Sequence, residues 1–330
     1  GIALCEIVSK PDIRSGKEAS EYASEIRRTV RYLGVSDGNM QEGSLRCDVN
    51  ISVRKGPNAP FGTKVEIKNM NSFSAIQKAC DYEIARQIEV YENGGKIFQE
   101  TRLWDEAKQL TKSMRLKEGS SDYRYFPDPD LGPIEITKAQ QEIWFKELPE
   151  LPSKKRNKYV SQFGLSAYDA RVISDEISMA NFFEETVANG AEAKLASNWV
   201  TSDIVGYLKS NKLSFSELKL SPENLAEMIS MISKNIISGK IAKEILPELI
   251  QKNISPKKLV EEKGLAMISD SSSILPIIDE LINEHPNEVQ AFKNGKTKLL
   301  GFFVGQLMKR TKGKADPKLA NKLLMEKLNS

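Results

Sequence analysis

Two runs of alternating residues within residues 42–69 constrain the fold of this chain more than any other feature. The first run places apolar side chains on one face, at Leu45, Cys47, Val49, Ile51 and Val53, and polar ones on the other, at Ser44, Arg46, Asp48, Asn50, Ser52 and Arg54. After a turn rich in glycine and proline, the second run alternates Val65 and Ile67 with Lys64, Glu66 and Lys68. This period of two predicts a hairpin with one buried face. Its polar face is either an ordinary solvated surface or a site where carboxylates and cations meet.

Composition excludes several classes of site. The 330 residues are 40% hydrophobic and 28% charged, as expected for two or three globular domains, and the net charge of +3 is too small to indicate nucleic-acid binding by itself. The three cysteines form no CxxC pair, which argues against a disulfide framework or a cysteine zinc site and favours a reducing compartment. The only histidine, His285, cannot build a histidine triad or a histidine metal cluster. No apolar run approaches the roughly 18 residues of a membrane span.

The elements around the hairpin indicate an α+β first domain. We predict a buried strand at residues 2–8 that carries Glu6, a helix from a Ser15–Glu18 capping box to Gly34, a helix capped by Asn71 or Ser72, and a strand at residues 96–104. Because the chain enters an apolar run directly after Gly1, we expect part of this domain to precede residue 1.

Helical patterns replace strands after about residue 134. The LPELP segment at residues 148–152 and the helix start at Ser221, Pro222 and Glu223 predict three domains, at residues 1–148, 149–217 and 218–330. Before them, DYRYFPDPDL at residues 122–131 predicts a rigid loop, because proline restricts its own backbone and that of the preceding residue. Arg124 and its aromatic neighbours are either anchors of a packed connection or contacts to a nucleotide or an RNA end.

The C-terminal segment is the most basic part of the chain. Residues 285–330 contain ten Lys or Arg and three Asp or Glu. Six of the basic residues flank a predicted apolar helix: Lys296, Lys298, Lys309, Arg310, Lys312 and Lys314. They form either a solvated face or a phosphate-contact patch. Gly301 and Gly305 in this helix predict close packing against another helix.

Several long motifs, in order, resemble the GatB/GatE family, the B subunits of tRNA-dependent amidotransferases. The motifs are EIVSKPDIR at residues 6–14, EGSLRCDVN at 42–50, EIKNMNSF at 66–73, QETRLWD at 99–105, DYRYFPDPDL at 122–131 and KNGKTKLLGFFVGQLMK at 293–309. The resemblance covers essentially the whole chain. It implies a mixed α/β cradle domain with an antiparallel-rich sheet, then an all-α helical domain, and an all-α YqeY-like tail domain that binds tRNA.

The resemblance also implies a reaction. Family members are ligases that use ATP and Mg²⁺ to phosphorylate the side-chain carboxylate of Glu or Asp mischarged on tRNA(Gln) or tRNA(Asn). Ammonia from glutamine, hydrolysed by the glutaminase or A subunit, then forms the amide, and a small C subunit secures the pair. The absence of a Walker A or GxGxxG loop agrees with the family. The compartment would be a bacterial cytoplasm or an organelle.

By similarity, Glu66 is the first candidate for a metal ligand, followed by Glu6, Glu42 and Asp48. Arg46, Lys68 and Arg124 are candidate contacts to the phosphates of ATP or to the acyl phosphate. The family's site also draws on a histidine and acidic residues from an earlier segment, and Lys10 stands where members often carry Glu. The alternatives are a non-catalytic tRNA-binding module of the same complex, which the retained carboxylates and arginines argue against, and an unrelated metal-dependent hydrolase, which the lack of histidines disfavours.

Overall fold

The computed structural model describes residues 4–116, 129–267, 271–311 and 313–329, which belong to two compact units, Gly1–Pro152 and Ser153–Ser330. The first contains α1 (Gly16–Tyr32), β1 (Cys47–Ile51), β2 (Val65–Met70), α2 (Phe73–Glu92), β3 (Glu100–Asp105), β4 (Leu110–Leu116) and α3 (Lys138–Glu147). The elements after it are helical: α4 (Pro152–Ser161), α5 (Ala167–Ile173), α6 (Ile177–Ala188), α7 (Ala193–Asn198), a π-helical segment (Trp199–Ile204), α8 (Val205–Ser210), a 3₁₀ turn (Phe215–Glu217), α9 (Pro222–Ser233), α10 (Gly239–Lys252), α11 (Pro256–Glu262), α12 (Ser271–Glu284), α13 (Pro286–Lys293), α14 (Leu299–Arg310) and α15 (Pro317–Asn329). The α+β class is confirmed.

The sheet of the first unit has the strand order β1-β2-β3-β4. β1 and β2 pair antiparallel, as the alternating runs predict, β2 and β3 are parallel, and β3 and β4 are antiparallel. Helix α2 covers one face, where Ile67, Ile76 and Trp104 share a core. β2 and β3 can run parallel because α2 forms the crossover connection between them. The polar side chains of the hairpin therefore lie on the face away from this core.

Side-chain caps begin both long helices of this unit. The Ser15 hydroxyl accepts a hydrogen bond from the Glu18 amide at 3.2 Å, and the Ser72 hydroxyl accepts one from the Ala75 amide at 3.0 Å. Ser72, not Asn71, is therefore the cap of α2. Gly34, directly after the C-cap of α1, has a φ of +67°, a left-handed conformation that glycine adopts at low cost.

The strand predicted at residues 2–8 is wrong over its described part. Residues 4–8 form no strand, and the side chains of Leu4 and Val8 are 91% and 80% exposed. An apolar run becomes a strand only where a neighbouring edge supplies hydrogen bonds, and none of the described strands pairs with it. The strand predicted at residues 96–104 begins instead at Glu100, and it pairs with β4, which the sequence pattern did not predict.

The second unit contains two hydrophobic cores, one formed by residues between 159 and 260 and one by residues between 274 and 328. Ser221 caps α9 as predicted, by accepting a hydrogen bond from the Asn224 amide. The three-domain division stays a prediction. None of the helices in the described ranges is both long and apolar enough to cross a membrane.

The prediction that Gly301 and Gly305 pack closely against another helix is wrong. Both are exposed, and a Cβ atom added to either would meet no atom within 4 Å outside its own helix. The buried side of α14 is instead formed by Phe303 and Leu307, which lie in the second core. A GxxxG spacing places two glycines on one helix face, but it does not decide whether a neighbour covers that face.

Candidate active site

Three charged side chains from the first two strands meet on the sheet face opposite α2, which we call the open face. The ammonium nitrogen of Lys68 lies 2.6 Å from Oδ2 of Asp48 and 3.5 Å from Oε1 of Glu66. The hydrogen bond to Asp48 raises the pKa of Lys68 above its usual value, so the side chain carries its charge at neutral pH. The sequence pattern predicted this face, and the structure brings Asp48, Glu66 and Lys68 into direct contact. We refer to these three residues as the carboxylate–lysine cluster.

A β-bulge directly follows Lys68. Cys47 pairs with Met70, but Val49 pairs with Ile67, so β2 has one residue more than β1 at this point. Asn69 has a φ of +71°, and its side-chain amide donates a hydrogen bond to the Trp104 carbonyl at 3.1 Å. The extra residue reverses the alternation. Met70 is therefore buried with Ile67, while Lys68 stays on the open face with Glu66.

Thr101 on β3 is a fourth member of this face that the sequence reasoning missed. It pairs with Glu66 across the parallel ladder, and its hydroxyl donates a hydrogen bond to Oε2 of Glu66 at 2.8 Å. Thr101 is fully buried. Its position between Glu100 and Arg102 in a predicted strand indicated that it faces away from both, but nothing local indicated which strand it would adjoin.

Behind the sheet, a buried network of charged and polar groups connects α2 with β3 and β4. Glu83, which is fully buried, receives hydrogen bonds from Arg86, Gln87 and Thr111. Arg102 donates to Glu100 at 2.6 Å and to both the hydroxyl and the carbonyl oxygen of Thr111 at 2.8 Å. Two arginines thus compensate two buried carboxylates, which is the condition under which such groups are tolerated in a core.

The same network also reaches the end of β1. The side-chain amide of Gln87 donates to the Ile51 carbonyl at 3.3 Å and accepts from the Val53 amide at 3.2 Å. Gln87 therefore satisfies backbone groups at the point where β1 stops pairing. The network links β1, β3 and β4 to α2 and thereby holds the strands that carry the open face.

The remaining predicted site residues of the first unit lie outside the carboxylate–lysine cluster. Arg46 is exposed directly before β1, Glu42 lies in an exposed turn, and Glu6 lies in the exposed segment before α1. Arg124 is outside the described residues. Their roles stay predictions. Burial raises the pKa of Cys47 to about 11 and that of Cys80 to about 12, which argues against a thiolate nucleophile at neutral pH.

The donor set of the cluster fits Mg²⁺. Within the described ranges no three His, Cys, Asp or Glu side chains gather as a complete metal cage. Magnesium does not need one, because it is usually held by one or two carboxylates together with water and substrate phosphates. In this chain a cation, the Lys68 ammonium, already contacts both Asp48 and Glu66. The same two carboxylates could hold a divalent cation if Lys68 turned toward a phosphate.

The six predicted tRNA contacts of the tail differ in their surroundings. Lys296, Lys298 and Lys309 are exposed and form no ion pair with any described residue. Arg310 pairs with Glu280 at 3.2 Å and with Glu284. Lys314 donates to the Gly264 carbonyl at 2.5 Å, and Lys312 lies outside the described residues. Of the five described residues in this set, the first three are thus directly available to a phosphate.

Two family models match the chain. The GatB/GatE catalytic domain matches residues 1–142, which include the sheet and its open face, and the GatB domain matches residues 181–328. Together they cover most of both units. The chain belongs to the GatB/GatE family.

Several relatives align with 99–100% of this chain. Each is named as the B subunit of an aspartyl/glutamyl-tRNA(Asn/Gln) amidotransferase. The protein of Prochlorococcus marinus strain AS9601 is 99% identical over 330 residues, which are 100% of this chain and 67% of that protein. The protein of Prochlorococcus marinus strain MIT 9312 is 94% identical over 329 residues, with the same coverage. The protein of Synechococcus sp. strain CC9605 is 69% identical over 328 residues, which are 99% of this chain and 66% of that protein.

Proposed function

We propose that the open sheet face binds Mg²⁺ and ATP and activates the side-chain carboxylate of Glu or Asp carried by tRNA(Gln) or tRNA(Asn), for amidation by ammonia. The observation that carries the proposal is the carboxylate–lysine cluster, which lies within the segment matched by the family's catalytic domain. The chain acts within a glutamine-dependent amidotransferase and forms a carbon–nitrogen bond. Its near-identical relatives are named for this activity.

The reaction needs activation because a carboxylate is a poor electrophile at neutral pH. An oxygen of the substrate carboxylate attacks the γ-phosphorus of ATP, the bond to the bridging oxygen breaks, and ADP leaves. Ammonia then attacks the acyl carbon, phosphate departs, a proton is released, and the amide remains. Phosphoryl transfer depends mainly on positioning and charge neutralisation, so the chain need not supply a covalent catalyst.

The side chains of the cluster divide these tasks. Asp48 and Glu66 would hold Mg²⁺, which neutralises charge on the phosphate oxygens when it is bound. Lys68, with Arg46 and Arg124 as further candidates, would contact the phosphates of ATP or the acyl phosphate. An ammonium group serves as a mobile point charge, so Lys68 can exchange its carboxylate partners for a phosphate without a change of the backbone.

The proposal includes partners and a location. Ammonia would come from the glutaminase partner, the A subunit, and a small C subunit would complete the complex in a bacterial cytoplasm. The first unit would act as the cradle domain at residues 1–148, residues 149–217 as a helical domain, and residues 218–330 as a YqeY-like tail that holds tRNA. The alternative of a non-catalytic tRNA-binding module is not favoured, because the catalytic-domain match includes the intact cluster.

The test of this function is a coupled assay of the protein in complex with its glutaminase and small partners. We expect release of phosphate from ATP that depends on Mg²⁺ and on Glu-tRNA(Gln) or Asp-tRNA(Asn), and formation of the corresponding amide. Correctly charged Gln-tRNA(Gln) is the control substrate, since it has no carboxylate to activate. Amide formation without ATP consumption would contradict the proposal.

For the tail, replacing Lys298 and Lys309 by Ala is expected to weaken tRNA binding. The slope of the logarithm of the binding constant against the logarithm of the salt concentration should become shallower by about one for each lost phosphate contact. Arg310→Ala is expected to have a smaller effect, because Arg310 is paired with Glu280 and Glu284. The measurement is the dissociation constant of tRNA as a function of salt concentration.

Lys252→Ala is the matched control for the tail, because this lysine is also exposed to solvent but is paired with Glu248 on α10, outside the predicted patch. Its effect on tRNA affinity should be small. Unchanged affinity in the Lys298 and Lys309 variant would favour the interpretation of the basic segment as a solvated face.

A further inference from the structure

The Glu66 carboxylate has two chemically different sides. Its Oε2 atom accepts the hydrogen bond from the buried Thr101 hydroxyl at 2.8 Å, and its Oε1 atom lies 3.5 Å from the Lys68 ammonium nitrogen. The second contact involves the cation that also touches Asp48. One oxygen is therefore held by the scaffold, and the other faces the charged side of the cluster.

Thr101 is well suited to hold this oxygen in one place. Its side chain is fully buried, and a β-branched residue has few accessible χ1 rotamers. Residue-by-residue pairing of β2 with β3 places Thr101 directly opposite Glu66. The hydroxyl can therefore not follow the carboxylate if the carboxylate rotates, and it favours the single orientation in which the hydrogen bond forms.

The flanking residues hold the Thr101 backbone in position. Glu100 and Arg102 project to the other side of β3, where Arg102 bonds Thr111 and Glu100. A register shift in the β3–β4 pairing lies between Thr101 and Arg102. Such an irregularity changes the direction of neighbouring side chains, and here it occurs directly beside the hydroxyl that contacts Glu66.

We propose that Thr101 is a positioning residue for Glu66. Its hydroxyl holds Oε2 so that Oε1 is directed toward the divalent cation that Glu66 and Asp48 would bind together. The inference rests on the proposed function, because it assigns Glu66 to the divalent cation. Hydrogen bonds from residues behind a metal ligand orient it, and their loss typically lowers metal affinity by about 10- to 100-fold. Thr101 itself contacts neither cation nor substrate in this role.

The test compares Thr101→Val with Thr101→Ser in the complete amidotransferase complex. Valine keeps the shape of threonine and lacks the hydroxyl, whereas serine keeps the hydroxyl. The probe is Mn²⁺ in the presence of a non-hydrolysable ATP analogue, with its dissociation constant measured by electron paramagnetic resonance. We expect Mn²⁺ binding to weaken by about 10-fold or more in Thr101→Val and to stay within about threefold of the parent in Thr101→Ser.

Thermal unfolding and the glutaminase activity of the complex serve as fold controls. If Thr101→Val does not fold, Thr101→Ala takes its place, since it also removes the hydroxyl and adds no bulk. Parent-like Mn²⁺ affinity without the hydroxyl overturns the inference. Equal loss in the Ser and Val variants also overturns it, because the hydroxyl would then not be the group that matters.

Glu66→Gln separates this inference from the proposed function. If Glu66→Gln weakens Mn²⁺ binding but Thr101→Val does not, only the positioning role of Thr101 fails. If neither change affects Mn²⁺ binding, the assignment of Glu66 to the cation fails, and the positioning role fails with it. Amide formation with Glu-tRNA(Gln) in the same preparations then shows whether the proposed reaction itself stands.

Discussion

Glu66→Gln is expected to lower the rate of ATP-dependent phosphate release by about 100-fold or more, the usual cost of losing one group that stabilises charge in a transition state. Glutamine preserves the shape of the side chain, and its carbonyl oxygen can still accept the Thr101 hydroxyl. It carries no negative charge, so it binds a divalent cation poorly and no longer attracts Lys68. The measurement is phosphate release with saturating mischarged tRNA, in the complete complex.

Glu25→Gln is the matched control for this prediction. Glu25 lies on α1 of the same unit and pairs with Arg28 at 3.1 Å, away from the carboxylate–lysine cluster. Its replacement should leave phosphate release within about twofold, because Glu25 lies on α1 and is not a member of the carboxylate–lysine cluster. A parent-like rate in Glu66→Gln would remove Glu66 from the chemistry, even if the fold is unchanged.

The second large effect concerns stability. Arg102→Leu is expected to lower the free energy of unfolding by about 3–5 kcal/mol, the range found when one partner of a buried ion pair is removed. The reason is the environment of the two carboxylates that Arg102 faces. Glu83 is fully buried and Glu100 is 8% exposed, so water cannot replace the lost cation. Urea unfolding of the parent and the variant measures the difference.

The control for this change is Lys78→Met on α2, the helix that also carries Glu83. Lys78 and Glu106 are half-exposed and lie 3.9 Å apart, so the loss of stability should be much smaller than in Arg102→Leu. Equal effects of the two substitutions would show that the network behind the sheet contributes no more than an ordinary surface pair.

The decrease in unfolding free energy caused by Arg102→Leu should also depend on pH. Burial acts to raise the pKa of Glu100, but the hydrogen bonds from Ser113 and Arg102 outweigh it and hold this pKa below the usual value of 4.5. A carboxyl with a lowered pKa contributes stability above its unfolded-state pKa and loses it as the pH falls through the folded-state pKa. The difference in unfolding free energy between parent and variant is therefore expected to be full at neutral pH and to shrink as acidification protonates Glu100. A difference that does not change on acidification would contradict this origin.

Local signals in the sequence were sufficient for several elements. Ser15 and Ser221 cap the helices that follow, as predicted, because the capping hydrogen bond joins residues three apart in the chain. For α2 the sequence left Asn71 and Ser72 as candidates, and Ser72 is the cap. The alternation in β1 and β2 predicted their antiparallel pairing and the polar face, since the side-chain period of a strand is two. The family motifs indicated the same chemistry that the comparisons with known proteins support.

Elements that depend on a distant partner were missed or misplaced. Residues 4–8 have the composition of a buried strand, yet they lie exposed, because composition does not supply a pairing edge. The opposite case is β4, whose weak alternation becomes a strand through its pairing with β3. Gly301 and Gly305 have the spacing of a packing motif, but no described neighbouring element covers them.

The carboxylate–lysine cluster shows which features of the site follow from the sequence and which depend on the tertiary structure. The sequence by itself determined that Asp48, Glu66 and Lys68 share one face of a hairpin, because this follows from the alternation of side chains along short strands. Only the tertiary structure decided that Thr101, 35 residues from Glu66, holds one oxygen of this carboxylate, and that Arg102 faces a buried network behind the sheet. The parallel pairing of β2 with β3 depends on how α2 packs across the sheet, and no local pattern encodes that register.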